Sequence, residues 1–245
     1  MKVIITKDYD AASKAAAEVM IDVVKKNPKA NLGLATGSTP IGLYKLMAKD
    51  HKENKTSYKD IQTFNLDEYY GLDINHPQSY HHFMKENLFQ YLDIDLNNTH
   101  VPKGTGDIQK NCDDYNELLK HNKIDIQLLG IGSNGHIGFN EPGCEADSVT
   151  HFIQLKESTI NDNARLFFNG DKDAVPKQAI TMGIKNILDA KKVLLVACGE
   201  NKAKPISTLV EGKMSSECPA SYLQKHDDVI VIVDEAAASL LKKKY

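Results

Sequence analysis

Short apolar runs alternate with amphipathic stretches along almost the whole chain, and this alternation restricts the fold more than any other feature. Residues 3–5 precede a helical pattern over 9–26, residues 32–35 precede 40–49, and 61–64 are followed after a loop by 79–91. A helix over 107–120 leads into a strand at 124–129. Further on, 193–197 precede a helix near 202–210, and 229–233 precede a helix over 235–243. Several runs are continuously apolar, the pattern of strands covered on both faces, and strands alternating with helices build parallel sheets. The expectation is one continuous α/β domain over 1–245, with a mostly parallel central sheet and helices on both faces. No repeat, low-complexity segment or Pro/Ser-rich linker divides it.

Composition narrows the class of protein. With 41% hydrophobic and 26% charged residues among 245, the chain reads as globular rather than disordered or fibrous. Thirty basic residues against 33 acidic ones give a net charge of −3. That leaves no global footprint for nucleic acid or an anionic membrane, so an anionic ligand must be held locally. Cys112, Cys144, Cys198 and Cys218 form no C-x-x-C pair, the opening residues contain no secretory apolar core, and no apolar run approaches the ~20 residues of a bilayer span. A soluble cytoplasmic protein with reduced thiols is expected.

In a parallel α/β sheet, ligands sit beyond the carboxyl ends of the strands. Three turns there stand out. In Thr36-Gly37-Ser38-Thr39-Pro40, Gly37 permits close backbone approach, three hydroxyls are available, and Pro40 stands where a helix begins. The free N–H groups of such a turn suit a phosphate, although Ser38 or Thr39 could equally serve as an ordinary helix cap. It is not a nucleoside-triphosphate loop, because Leu43-Tyr44 occupies the place of the required Lys-Ser/Thr.

The second turn, Phe64-Asn65-Leu66-Asp67-Glu68-Tyr69, sets two carboxylates after an apolar run. Neighbours on extended backbone point to opposite sides, so at most one enters the crevice. A carboxylate here could be a general base or could cap the next helix, for which Ser79 is the expected N-cap. The paired His81 and His82 fall on different faces and are not expected to bind a metal.

The third turn runs from Gly130 to Gly143. Gly130, Gly132 and Gly135 match G-x-G-x-x-G after a strand, but a dinucleotide site needs a helix opening at the third glycine. Residues 136–149 carry Gly138, Pro142 and Gly143 and lack helical periodicity. A serine nucleophile elbow is one residue out of register. What remains is a glycine-rich loop bearing Asn134, His136, Asn140 and Glu141, in which tight winding could let Glu141 orient the His136 imidazole.

Taken in order, Leu-Ala-Thr-Gly-Ser-Thr-Pro, Phe-Asn-Leu-Asp-Glu-Tyr, His-Pro-Gln-Ser-Tyr and Gly-Ile-Gly-Ser-Asn-Gly-His-Ile-Gly-Phe-Asn-Glu-Pro-Gly resemble the glucosamine-6-phosphate deaminase family. The likeness continues through residues 175–183 and 199–202. It implies a modified Rossmann-like fold and conversion of glucosamine 6-phosphate and water to fructose 6-phosphate and ammonia, without a cofactor or metal. It further implies that Asp67 is the base moving a proton between C2 and C1. His136 would open the sugar ring, oriented by Glu141 and assisted by Asn134. The phosphate would fall to Thr36, Gly37, Ser38 and Thr39 with Arg165 and Lys202, and residues 150–178 would form a mobile lid.

Some members carry aspartate at the position of Asn134; asparagine cannot bear that charge. The chain ends at Tyr245 without the C-terminal extension of allosteric members, and residues 144–155 lack the basic residues that bind the activator there. No activation by N-acetylglucosamine 6-phosphate is therefore expected, and the protein is expected to be a monomer or homo-oligomer. Two alternatives compete. 6-Phosphogluconolactonase shares the fold and a Gly-x-Gly-x-x-Gly-His loop but not the Phe-Asn-Leu-Asp-Glu-Tyr and Phe-Asn-Glu-Pro-Gly segments. A sugar-phosphate sensor would need a DNA-binding helix-turn-helix, and no basic recognition helix precedes the first turn.

Overall fold

A computed structural model describes all residues 1–245. In chain order the elements begin β1 (Lys2–Thr6), α1 (Tyr9–Lys26), β2 (Asn31–Leu34), α2 (Ile41–Asn54), β3 (Gln62–Asn65), β4 (Asp67–Tyr69) and α3 (Tyr80–Asn87). They continue with β5 (Thr99–His100), α4 (Ile108–His121), β6 (Ile126–Leu129), β7 (His151–Gln154), α5 (Glu157–Phe167) and β8 (Gln178–Thr181). The last are α6 (Ile184–Leu188), β9 (Val193–Ala197), α7 (Ala203–Glu211) and β10 (Val229–Asp234).

Seven strands form a central sheet in the order β1-β10-β9-β6-β2-β3-β5, every pair parallel. All five residues of β9 are buried, as a strand covered on both faces requires. Helix α1 shows why the flanking elements are helical. Asp8 caps its first turn by accepting from the Ala11 N–H at 2.9 Å, and Lys25 and Lys26 face the negative end of its dipole. Ala12, Ala16, Met20 and Val24, spaced by four, are buried along one stripe that packs on α2, β9 and β10. Full burial of a side chain the size of Met20 or Val24 contributes roughly 1.5–3 kcal/mol. No helix is long and apolar enough to cross a membrane.

Two features depart from the sequence expectation. A second, antiparallel sheet, β4-β8-β7, lies over the carboxyl ends of the main one, with Asp67 paired to Thr181 and His151 paired to the same residue from the other side. Residues 235–243 form turns over 235–240 and no helix. Asp234 accepts from the Ala237 N–H through its side chain and from the Ala238 N–H through its carbonyl. The bonds that follow, Ser239 to Ala236 and Leu241 to Ala238, close three-residue turns.

Candidate active site

The sheet order places the site. From β2 the chain moves outward to β3, and from β6 the next strand of the sheet is β9 on the other side, so the loops after adjacent β2 and β6 diverge and leave a crevice between them. A cavity of about 160 Å³ occupies it, walled by the 35–39 turn, Leu66 and Asp67 after β3, the 130–139 loop after β6, and Lys202 after β9. A wider groove of about 880 Å³ lies at the opposite, amino ends of β6, β9 and β10. Some of its charges pair with one another, as in Lys185–Asp189 and Lys120–Glu117.

At the 36–39 turn, Gly37 adopts φ +93°, which a side chain would strain. Helix α2 has no side-chain cap; Pro40 holds the N-cap position. Neither Ser38 nor Thr39 is spent on capping, and both line the cavity at the positive end of α2. The Tyr9 hydroxyl fixes the turn from behind, donating to the Ser38 or Thr39 carbonyl (3.1 Å to each) and accepting from the Gly42 N–H at 2.9 Å.

The two adjacent carboxylates separate as alternation requires. Glu68 turns away from the cavity and receives the N–H groups of Tyr80 at 2.9 Å and His81 at 3.1 Å, at the start of α3. Ser79 caps the same helix through the His82 N–H. Asp67 faces the cavity and is nearly fully buried. Burial, reinforced by the neighbouring Glu68 charge, pushes its carboxyl up to about 8.

On the glycine loop, Asn134 stands between His136 and Glu141. Its Oδ1 lies 2.7 Å from His136 Nδ1, and its Nδ2 donates to Glu141 Oε2 at 2.8 Å. An amide oxygen only accepts, so Nδ1 carries the proton and Nε2 is left as a base. The direct His136–Glu141 separation is 3.8 Å, so the carboxylate orients the imidazole through the amide and not by the direct contact the sequence suggested. Burial lowers the His136 pKa; Glu141 opposes this and Lys202 adds to it. A Cβ at Gly132 would overlap the His136 ring, so that glycine is required by the imidazole's position. Asn140 is an anchor: it is fully buried and donates to the Ile137 and Met182 carbonyls.

Lys202 lines the cavity, and burial lowers its pKa. Arg165 does not line it. Its side chain is 64% exposed and pairs with Asp162 at 3.4 Å. The sequence reading gave this segment a lid and Arg165 but missed Thr159, Asp162, Asn163 and Leu166, which α5 turns toward the cavity. Thr159 donates to Glu141 Oε1, and both residues are buried. The signal was present: these four positions have the i, i+3, i+4, i+7 spacing of one helix face.

The cavity thus brings a buried carboxylate and an amide-held histidine to the switch point of a parallel sheet, beside a helix N-terminus with no side-chain cap. The chain belongs to the family of glucosamine-6-phosphate isomerases and 6-phosphogluconolactonases, whose model matches residues 7–232. It is 49% identical over 246 residues to a glucosamine-6-phosphate deaminase of Clostridium botulinum (strain Alaska E43 / Type E3), covering all of this chain and 98% of that one. A glucosamine-6-phosphate deaminase of Clostridium perfringens (strain 13 / Type A) is also 49% identical, covering 99% and 100%. Among solved structures, a monomeric glucosamine-6-phosphate deaminase superposes with a TM-score of 0.95 at 44% identity, covering 98% of this chain and 100% of that one. The 6-phosphogluconolactonase of Trypanosoma brucei, at 17% identity and TM-score 0.80 over 98% of each chain, shares the fold.

Proposed function

We propose that the chain converts glucosamine 6-phosphate and water to fructose 6-phosphate and ammonia. The observation that carries this reading is the division of labour between Asp67 and Glu68: one carboxylate is spent on α3, and the other is left buried, facing the cavity across from His136. Hydrolysis of a lactone needs a base for water. Aldose–ketose isomerisation also needs a base beside C2, and Asp67 suits that task.

In this reading the Thr36–Thr39 turn and Lys202 hold the phosphate, with Arg165 swinging in from α5. His136 Nε2 takes the proton of the anomeric hydroxyl and returns it to the ring oxygen, opening the ring. Asp67 then removes the C2 proton and delivers it to C1, while one amine proton passes to O1. The resulting imine at C2 adds water and expels ammonia. The sequence is redox-neutral and consumes only water. Burial of Asp67 keeps the carried proton away from bulk water between C2 and C1.

Residues 150–178 act as a lid in this reading, supported by the way α5 forms one wall of the cavity. The four cysteines are unpaired, consistent with a reducing cytoplasmic setting. The test is ammonia and fructose 6-phosphate formation from glucosamine 6-phosphate, run beside hydrolysis of 6-phosphogluconolactone; activity on the lactone alone would assign the site to the other branch of the family.

A further inference from the structure

Helix α5 carries a carboxylate into the part of the cavity that the proposed function assigns to a dianion. Asp162 lines the cavity together with Lys202 and the 36–39 turn. Its Oδ1 lies 3.4 Å from Arg165 Nη2, and its Oδ2 accepts from the Ser133 hydroxyl of the glycine loop at 3.3 Å. An exposed Asp–Arg pair three residues apart on a helix contributes little by itself. Here the carboxylate also reaches across to a different segment, and its field is felt by the two cavity bases: it works to raise both Lys202 and His136.

We propose that Asp162 is a built-in counterion of the phosphate subsite, which competes with the bound dianion for Arg165 and Lys202 and so sets a weaker affinity for the phosphate group. The inference rests on the sugar-phosphate reading of the cavity. A phosphate arriving at Lys202 must draw Arg165 away from Asp162 and into the cavity, while the carboxylate keeps its contact with the Ser133 hydroxyl. Substrate binding and the position of α5 are thereby coupled through one ion-pair exchange.

Calorimetric titration of the intact protein with inorganic phosphate tests this without requiring turnover. Asp162→Asn, and Asp162→Ala as a second variant, are expected to bind phosphate on the order of fivefold more tightly than wild type at low salt, the scale of one partly screened charge near the ligand. The gain should shrink as ionic strength rises, and it should be largely lost in an Arg165→Ala background, because Arg165 is the cation released. Phosphate binding that is unchanged or weaker in both Asp162 variants would overturn the proposal, showing that the carboxylate only props the cations in place. If wild type released no ammonia from glucosamine 6-phosphate and phosphate binding still tightened in the variants, the substrate reading would fall and this inference would stand. If ammonia release were confirmed and binding did not tighten, the inference alone would fall.

Discussion

Asp67 and Glu68 share a peptide bond and face opposite sides of β4. Glu68 holds the first N–H groups of α3, and Asp67 is buried against the cavity with nothing donating to it from α3. The pair is electrostatically coupled: the Glu68 charge adds to the burial that raises the Asp67 carboxyl to about 8.

A base must be ionised to act, so kcat/KM is expected to climb with pH and level off above about 8. Glu68→Gln removes a neighbouring negative charge, lowers the Asp67 pKa and moves that limb to lower pH. The pH–rate profiles of wild type and Glu68→Gln decide this; coincident limbs would contradict the coupling.

The same shift carries a stability cost. The Asp67 carboxyl titrates near 8 in the folded chain and near its ordinary ~4 in the unfolded one. Its protonated form therefore favours folding at acid pH, and that contribution is lost as pH rises from ~4 through about 8. Asparagine does not ionise. Asp67→Asn is expected to lack turnover yet to melt several degrees above wild type at pH 8.5, with a smaller difference at pH 5.5. Equal Tm differences at the two pH values would argue against a buried, ionising base.

At Asn134, an aspartate would bring a negative charge to the position now 2.7 Å from His136 Nδ1. The burial that lowers the His136 pKa would then be offset, and its titration should move up. NMR titration of the His136 ring protons in Asn134→Asp against wild type reads this directly. A downward shift would mean that the amide is not the imidazole's partner.

Thr159→Val keeps the volume and removes the hydroxyl that holds Glu141. Losing a buried hydrogen bond to a carboxylate is expected to lower kcat about tenfold or more with KM little changed, and Thr159→Ser should restore it. A serine variant as slow as the valine variant would indicate packing rather than hydrogen bonding.

The apolar runs at β1, β2, β3, β6, β9 and β10 announced the central sheet because each strand carries its own burial signal. In the small sheet only β7 was legible, as a possible strand over 152–155; β4 is Asp67-Glu68-Tyr69, which no strand pattern marks, and it pairs with β8. At 235–243 the alanine-rich pattern reads as helical, yet the segment closes only three-residue turns after Asp234 caps the first. In the site, Asp67, His136, Glu141 and the 36–39 turn were legible from their positions after strands. The bridging by Asn134 and the polar face of α5 depend on how a glycine-rich loop winds and on how a distant helix docks. Local sequence specifies neither the winding nor the docking, although the spacing on α5 marks one face of that helix.

If this cavity isomerises and deaminates a phosphorylated amino sugar with Asp67 as the base, both products must form in step and depend on that carboxylate. A coupled assay for ammonia and fructose 6-phosphate from glucosamine 6-phosphate, with wild type and Asp67→Asn side by side, tests it most directly. Wild type is expected to give equal amounts of both products, and Asp67→Asn to lose turnover with substrate binding retained. No ammonia from wild type, or near wild-type turnover in Asp67→Asn, would contradict it.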